Sequence, residues 1–319
     1  MEIALQFVLL ALGFVMLGKG ADWFVEGAAG IAMRFGIPQL VIGLTIVAMG
    51  TSAPEAAVSI AAAVKGNADI TIGNIVGSNI LNILVILGLA ASIVPIAVAR
   101  STVRIEIPFM IGVTALLFYQ GRDSSISLAD GGVLMVAFAA YMMYLYTMAM
   151  KSNVDSDLEE PGLPLGRCLL GAVGGLALII AGSNVTVGAA TSIATYAGLS
   201  ERFIGLTIVA LGTSLPELVT AITSLAKGHG ALSLGNVIGA NVFNLVLVSG
   251  VSATVAPFTI PQNSMLLGHN ASLVLEFPVM FAVMLLLTVP ALVKGRLSRP
   301  QGIALLCIYA AFCVVQFTI

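Results

Sequence analysis

Two acids stand where a chain this apolar has every reason to avoid them. Glu55 closes the tract Gly43-Leu-Thr-Ile-Val-Ala-Met-Gly-Thr-Ser-Ala-Pro-Glu55, and Glu217 closes Gly205-Leu-Thr-Ile-Val-Ala-Leu-Gly-Thr-Ser-Leu-Pro-Glu217, 162 residues later. Both fall near the middle of a hydrophobic stretch, where inserting an acid costs about 2.5–3.5 kcal/mol. A bound cation is the simplest offset. The alternative is a protonated glutamate in a buried interhelical hydrogen bond, and the return of the acid within the same local sequence argues for the cation. That local sequence supplies further oxygens. Pro54 has no N–H to give Gly50 and Pro216 none to give Gly212, so two helical carbonyls lose their partners and the turns at Thr51 and Thr213 loosen. Thr51 and Glu55 are four residues apart, as are Thr213 and Glu217. Hydroxyl, carbonyl and carboxylate thus converge on one helix face, with Ser52 and Ser214 three residues before the acids. Oxygen donors of this kind suit a hard cation.

A second pair of tracts keeps the same offset: Gly73-Asn-Ile-Val-Gly-Ser-Asn-Ile-Leu-Asn82 and Gly235-Asn-Val-Ile-Gly-Ala-Asn-Val-Phe-Asn244. Asn74, Ser78 and Asn82 make a polar stripe, matched by Asn236, Ala240 and Asn244 with one hydroxyl missing. Gly73-x-x-x-Gly77 and Gly235-x-x-x-Gly239 let helices approach closely, and asparagine also joins helices. For Asn79 and Asn241 both roles fit, whereas Asn82 and Asn244, nearest mid-membrane, read as ligands. Glu106 and Glu276 open hydrophobic stretches in the related strings Glu-Ile-Pro-Phe-Met and Glu-Phe-Pro-Val-Met and read as structural acids of a first helical turn. Asp22, three residues from Lys19 and next to Trp23, reads as half of a local ion pair at an interfacial end. His229 and His269 show no metal-ligand partner, and there is no nucleophile with a histidine base, Gly-rich phosphate loop or Cys/His cluster.

The elements that position these residues are membrane helices. With 59% hydrophobic residues, 9% charged residues and a mean hydropathy of +1.09, the chain exceeds what a soluble core of 319 residues can bury. Ten spans are expected, roughly 3–32, 38–64, 69–93, 105–120, 127–149, 166–196, 201–226, 231–256, 271–293 and 300–318. The first is expected to stay, since no basic run precedes it and no small-residue cleavage site follows. Five spans per half force the second copy to enter from the opposite side. The expected fold is an all-α membrane protein of two inverted-topology five-helix repeats, 1–150 and 166–319, joined by a polar linker at 151–165 and forming one transport domain. Arg34, Arg100, Arg104, Lys151, Arg167, Lys227, Lys294, Arg296 and Arg299 lie on one side, against Lys65, Arg122 and Arg202 on the other. That bias puts the N- and C-termini outside and the linker in the cytoplasm. A net charge of −2 and the lack of a basic, aromatic-interleaved patch give no footing for a nucleic acid. Cys168, Cys307 and Cys313 lie apart in apolar runs and read as small hydrophobes.

At the two tract pairs the sequence resembles the cation/calcium exchanger superfamily, whose two repeats carry Gly-Thr-Ser-x-Pro-Glu and then Gly-Asn-x-x-Gly-Ser-Asn about twenty residues later. The resemblance, to the prokaryotic sodium/calcium exchanger type, implies a secondary-active antiporter with Ca²⁺ and Na⁺ as transported ions. It implies no cofactor, and its setting is the lipid bilayer of the cell inner membrane. It further implies that Glu55 and Glu217 share every ion. Thr51, Ser52, Ser78 and Asn82 would be ligands from the first repeat, Thr213, Ser214 and Asn244 from the second, with the carbonyls of Ala48 and Ala210. Alternating access would come from spans 1 and 6 sliding against a rigid cluster of spans 2, 3, 7 and 8. Two departures stand out: Ala240 replaces a serine, which removes a hydroxyl from a sodium position, and Asn244 replaces the aspartate of potassium-dependent relatives. Proton-coupled relatives usually carry an asparagine variant of the Gly-Thr-Ser-x-Pro-Glu tract, and both copies here are intact. A proton/divalent antiporter using the same acids is the alternative, and an intramembrane hydrolase using them as acid and base is a third. Hydrolysis has no need of carbonyl-exposing prolines or of matched asparagine stripes.

Overall fold

The computed structural model describes residues 2–151, 163–198, 210–260, 265–266, 269–270 and 272–318. The described residues form helices, short connections and pairs of two-residue strands, and seven of these helices are long and apolar enough to cross a membrane. They are Ile3–Arg34, Ile70–Ile93, Thr102–Gly121, Leu128–Lys151, Leu165–Tyr196, Gly230–Val255 and Leu273–Lys294. Each falls within three residues of an expected span, because hydrophobic length alone sets them. The bent pair Gln39–Thr51 and Ala53–Val64 counts as an eighth if taken as one span, while Leu215–Ala226 and Arg299–Val314 are shorter apolar helices. The start of the expected span 201–226, and residues 152–162 of the expected linker, lie outside the described residues.

The residues fall into two compact units, each drawing one stretch from either half of the sequence: Met1–Pro54 with Met148–Asn236, and Glu55–Thr147 with Val237–Ile319. The first is built on two long helices, α1 (Glu2–Arg34) and α9 (Leu165–Tyr196). At 33 and 32 residues each runs to about 50 Å, well over the ~30 Å hydrocarbon core. Lipid offers no hydrophobic gain for pairing helices, so close backbone packing must hold them together. Glycines at every seventh position of α1 provide it. A Cβ on Gly13 would lie 2.3 Å from Thr186 Oγ1, on Gly20 2.8 Å from the Ile179 nitrogen, and on Gly27 2.4 Å from the Ala172 nitrogen. The partners run backwards along α9, so the pair is antiparallel. Around this seam Leu17, Phe24, Ile31, Val47, Ile179 and Leu232 form the unit's buried core.

Four short helices follow α1: α2 (Gln39–Ile42), α3 (Ala48–Thr51), α4 (Ala53–Val64) and α5 (Ala68–Leu81). A π-helical turn at Gly43–Val47 joins α2 to α3. Gly43 packs on the second copy's Gly235, since a Cβ on either would sit 2.6 Å from a carbonyl oxygen, of Leu232 or of Leu40 respectively. In the second unit α5 continues through a π turn, Asn82–Leu87, into α6 (Gly88–Ile93), and another π turn, Thr102–Glu106, leads into α7 (Ile107–Gly121) and α8 (Leu128–Lys151). The later part of the chain contributes α10 (Ala210–Thr213), α11 (Leu215–Ala226), α12 (Gly230–Phe243), α13 (Ser249–Val255), α14 (Phe277–Lys294) and α15 (Arg299–Thr318). Its π turns, Asn244–Val248 and Ser272–Glu276, stand at the matching places. The helix ends repeat too. Gly66 (φ +71) and Gly228 (φ +79) take the left-handed conformation that closes α4 and α11, and the next residue's N–H reaches back to Ala62 (2.9 Å) and Ser224 (2.7 Å).

The glycine seam makes a direct prediction. Gly27→Ala places its methyl against backbone and should lower stability by about 1–3 kcal/mol, whereas a Cβ on Gly18 meets nothing within 4 Å. Gly18→Ala should therefore be neutral or slightly stabilising. Thermal unfolding of the two variants in detergent, followed by circular dichroism, checks this; equal midpoints would contradict the seam.

Candidate cation site

In the first unit the helix carrying Glu217 is made to stop and restart. Ser214 (φ −93, ψ 8) leaves helical geometry after α10, and Pro216 sits in the first turn of α11, where a missing N–H does no harm. Ser52 (φ −82, ψ 5) makes the same break after α3. The restart places Glu217 in the first turn of its helix, where the dipole and unpaired N–H groups favour negative charge. Glu217 is 1% exposed, yet it has a precise local setting. Ser52 Oγ donates to its Oε1 at 2.9 Å, and Asn236 Nδ2 donates to its carbonyl at 3.3 Å. Thr51 Oγ1 lies 3.0 Å from Asn236 Oδ1 and 3.1 Å from the Val47 carbonyl, with one proton to give. Oε2 of Glu217 is buried with no hydrogen-bond partner. The Gly212 carbonyl, released by Pro216, is not bare as expected but accepts from Ser183 Oγ at 2.8 Å; that of Ala48 takes the ordinary helical bond from the Ser52 N–H at 3.0 Å. Ala210 opens α10 and Thr213 closes it, with buried Ser214 at the break.

The second unit holds the corresponding residues of the other copy. Glu55, also 1% exposed, lies in the first turn of α4. Asn74 Nδ2 is 3.0 Å from its carbonyl and 2.8 Å from Ser59 Oγ, and Ser78 Oγ donates to Asn74 Oδ1 at 3.4 Å. Asn82 and Asn244 each open a π turn, and the Oδ1 of each is buried with no hydrogen-bond partner. Asn82 Nδ2 donates to Asn241 Oδ1 at 2.9 Å, and Asn241 Nδ2 to the Asn79 carbonyl at 3.4 Å. Asn79 and Asn241 therefore act as glue between α5 and α12.

The clamp on each glutamate is a residue the spacing argument placed in the stripe without a role. Asn74 holds the Glu55 carbonyl as Asn236 holds that of Glu217, and one turn earlier Thr71 Oγ1 caps the Ser59 carbonyl (3.3 Å) as Ser233 Oγ caps that of Ala221 (2.9 Å). The signal was present: each asparagine sits 19 residues after its acid. Ser183, by contrast, has alanine at its counterpart, Ala21, and no repeat pointed to it. Asp22 is corrected. Its ion pair is with Lys227, at 3.3 Å, not with Lys19, because Lys227 at the end of α11 also engages Glu26 one turn along α1. Burial pushes the Lys227 ammonium down, but its hydrogen bonds to Glu26 and Asp22 outweigh this and hold it above the usual lysine range. Burial and the Lys227 charge together push His229 below its ordinary value. Among the described residues no three His, Cys, Asp or Glu side chains gather, so a cation here meets mainly hydroxyl, amide and carbonyl oxygens, the donors of a hard ion.

Comparison with known proteins gives this arrangement a family. A model described as sodium/calcium exchanger protein matches residues 5–147 and 168–318. The chain is 38% identical to a putative antiporter CaxA of Alkalimonas amylolytica over all of both chains. It is 37% identical to the inner membrane protein YrbG of Escherichia coli over 86% of this chain and 87% of that one. A structure of the sodium-calcium exchanger NCX_Mj soaked with Na⁺ and Sr²⁺ superposes with a TM-score of 0.84 at 30% identity, covering 98% of this chain and 99% of that one. Apolar spans, a duplicated acid-bearing helix break and a family match over both halves lead to one assignment: the protein belongs to the sodium/calcium exchanger protein family, multi-pass membrane antiporters that exchange cations for Ca²⁺.

Proposed function

We propose that the protein is an electrogenic Na⁺/Ca²⁺ antiporter of the cell inner membrane. One observation carries the reading: each copy restarts a helix at a buried glutamate and fixes that residue's carbonyl with an asparagine from the next helix. In the proposal Glu55 and Glu217 serve every transported ion, assisted by Thr51, Ser52, Thr213, Ser214, Ser78, Asn82, Asn244 and the carbonyls of Ala48 and Ala210. The unpartnered Oε2 of Glu217 and Oδ1 atoms of Asn82 and Asn244 support those three as donors. The hydrogen bonds on the Ala48 carbonyl leave it one lone pair at most for an ion. The proposed topology is ten spans in two inverted repeats with both termini outside, and the relative named an inner membrane protein supports the location.

Two carboxylates neutralise one Ca²⁺. Three Na⁺ on the same pair leave one net charge, worth about 2.3 kcal/mol per 100 mV, so sodium entry would drive calcium out and respond to voltage. Because both ions need the same acids they exclude each other, which makes the exchange obligatory. The proton alternative uses the same acids and is separated by the coupling gradient alone.

Glu55→Ala and Glu217→Ala should each reduce ⁴⁵Ca²⁺ uptake into sodium-loaded proteoliposomes to background; substantial uptake in either variant refutes the assignment. With sodium, potassium and proton gradients imposed one at a time on the wild type, only sodium should drive divalent flux, and flux driven by protons alone would establish the alternative. Ala240 is fully buried and lacks the hydroxyl expected at a sodium position. Ala240→Ser should lower the sodium concentration for half-maximal exchange about fivefold, the equivalent of ~1 kcal/mol for one added interaction; an unchanged sodium dependence would remove position 240 from the sodium path.

A further inference from the structure

Outside the exchange tracts the second unit holds another buried acid. Glu106, last residue of the π turn before α7, is fully buried. It stands at the N-terminal end of α7 as its position in the sequence suggests, but buried. Its carboxyl meets α8, where the Tyr144 hydroxyl donates to Oε1, while Oε2 has no hydrogen-bond partner. Two more buried oxygens beside it are in the same position: Thr102 Oγ1, from the start of the same π turn, and the Tyr141 hydroxyl, one helical turn before Tyr144. Phe109 stacks on the Tyr141 ring at a centroid distance of 4.9 Å and closes that side with apolar surface.

The group is rich in hydroxyls and poor in charge. An ionised carboxylate offers about four acceptor positions, and among the described residues no cationic side chain faces this one in a setting where ionised acids are most expensive. A divalent ion would need a second acid. The titratable side chains facing the carboxyl are Tyr141 and Tyr144 from α8. Arg104, in the same π turn, is exposed, the only titratable side chain of α7 is Tyr119, and the only charged residue of α14 is Lys294 in its last turn. A proton on Oε2 turns the orphaned acceptor into a donor, with the Thr102 and Tyr141 hydroxyl oxygens beside it as acceptors. We propose that Glu106 is a proton-binding site separate from the exchange tracts, held as the neutral acid by Tyr144 on one oxygen and by Thr102 and Tyr141 on the other. Binding consumes one proton from water and forms the O–H bond at Oε2; release returns that proton and leaves one negative charge in the unit's interior.

Infrared difference spectra between acid and alkaline buffer, on the purified protein in liposomes free of Na⁺ and Ca²⁺, test this independently of transport. The wild type should show the carbonyl stretch of a protonated carboxyl group that is lost in Glu106→Gln and shifted in Tyr144→Phe, which keeps the acid but removes the donor to Oε1. A spectrum unchanged in Glu106→Gln overturns the proposal, as does a band at fixed pH that follows added Na⁺, which would mark a metal site. If Glu106→Gln fails to fold, the Tyr144→Phe shift decides, and its absence counts against the site.

Discussion

Everything in this molecule answers to the difficulty of keeping a carboxylate inside a bilayer. The chain meets it with its own backbone. A proline two residues after a serine stops one helix and starts the next, so the acid arrives in a first turn whose free N–H groups and dipole favour it by about 0.3–1 kcal/mol. For Glu217 the Ser52 hydroxyl adds a hydrogen bond to a charged group, worth about 1.5–3 kcal/mol. Together these come close to the ~2.5–3.5 kcal/mol that insertion demands. Backbone and hydroxyl thus offset much of that cost for Glu217 within the folded chain.

Breaking a helix in lipid creates a second obligation, because every freed backbone group must find a partner inside the protein. Ser183 takes the Gly212 carbonyl. The asparagines go further and hold the carbonyls of the acids themselves, tying each broken helix to the one that follows it. Such ties fix the height of each carboxylate along its helix, which a side-chain ligand alone would not do.

Much of this was legible in the residues. Spans were readable because hydrophobic length is a one-dimensional property, and the breaks at Ser52 and Ser214 because proline's missing N–H acts locally. The duplicate offset pointed to the acids and to the asparagine stripes. Other features left no trace. The π turns at Asn82–Leu87 and Thr102–Glu106 share no composition, the first apolar after its asparagine and the second carrying Thr102, Arg104 and Glu106, so no common sequence pattern marks them. Asp22 was misread because a partner three residues away is visible in sequence and Lys227, 205 positions on, is not. The two compact units were equally hidden: each takes a stretch from both copies, and a repeat in sequence does not reveal which pieces will pack together.

The seam between α1 and α9 bears on movement. Glycine recurs every seven residues on α1, at Gly13, Gly20 and Gly27, and Gly175 and Gly182 on α9 keep the same period, so the two backbones touch at several levels along more than two turns each. A slide of α1 along α9 by part of a turn would drive the glycine faces against neighbours such as Phe24, Leu17 and Ile179, whose backbone nitrogens already lie within 3.0 Å of where a Cβ would stand. Close-packed interfaces of this kind hold one arrangement and do not deform continuously. Any displacement of α1 would therefore have to carry α9 with it, and it would strain the Lys227 pairs to Asp22 and Glu26, which as partly exposed ion pairs hold little energy.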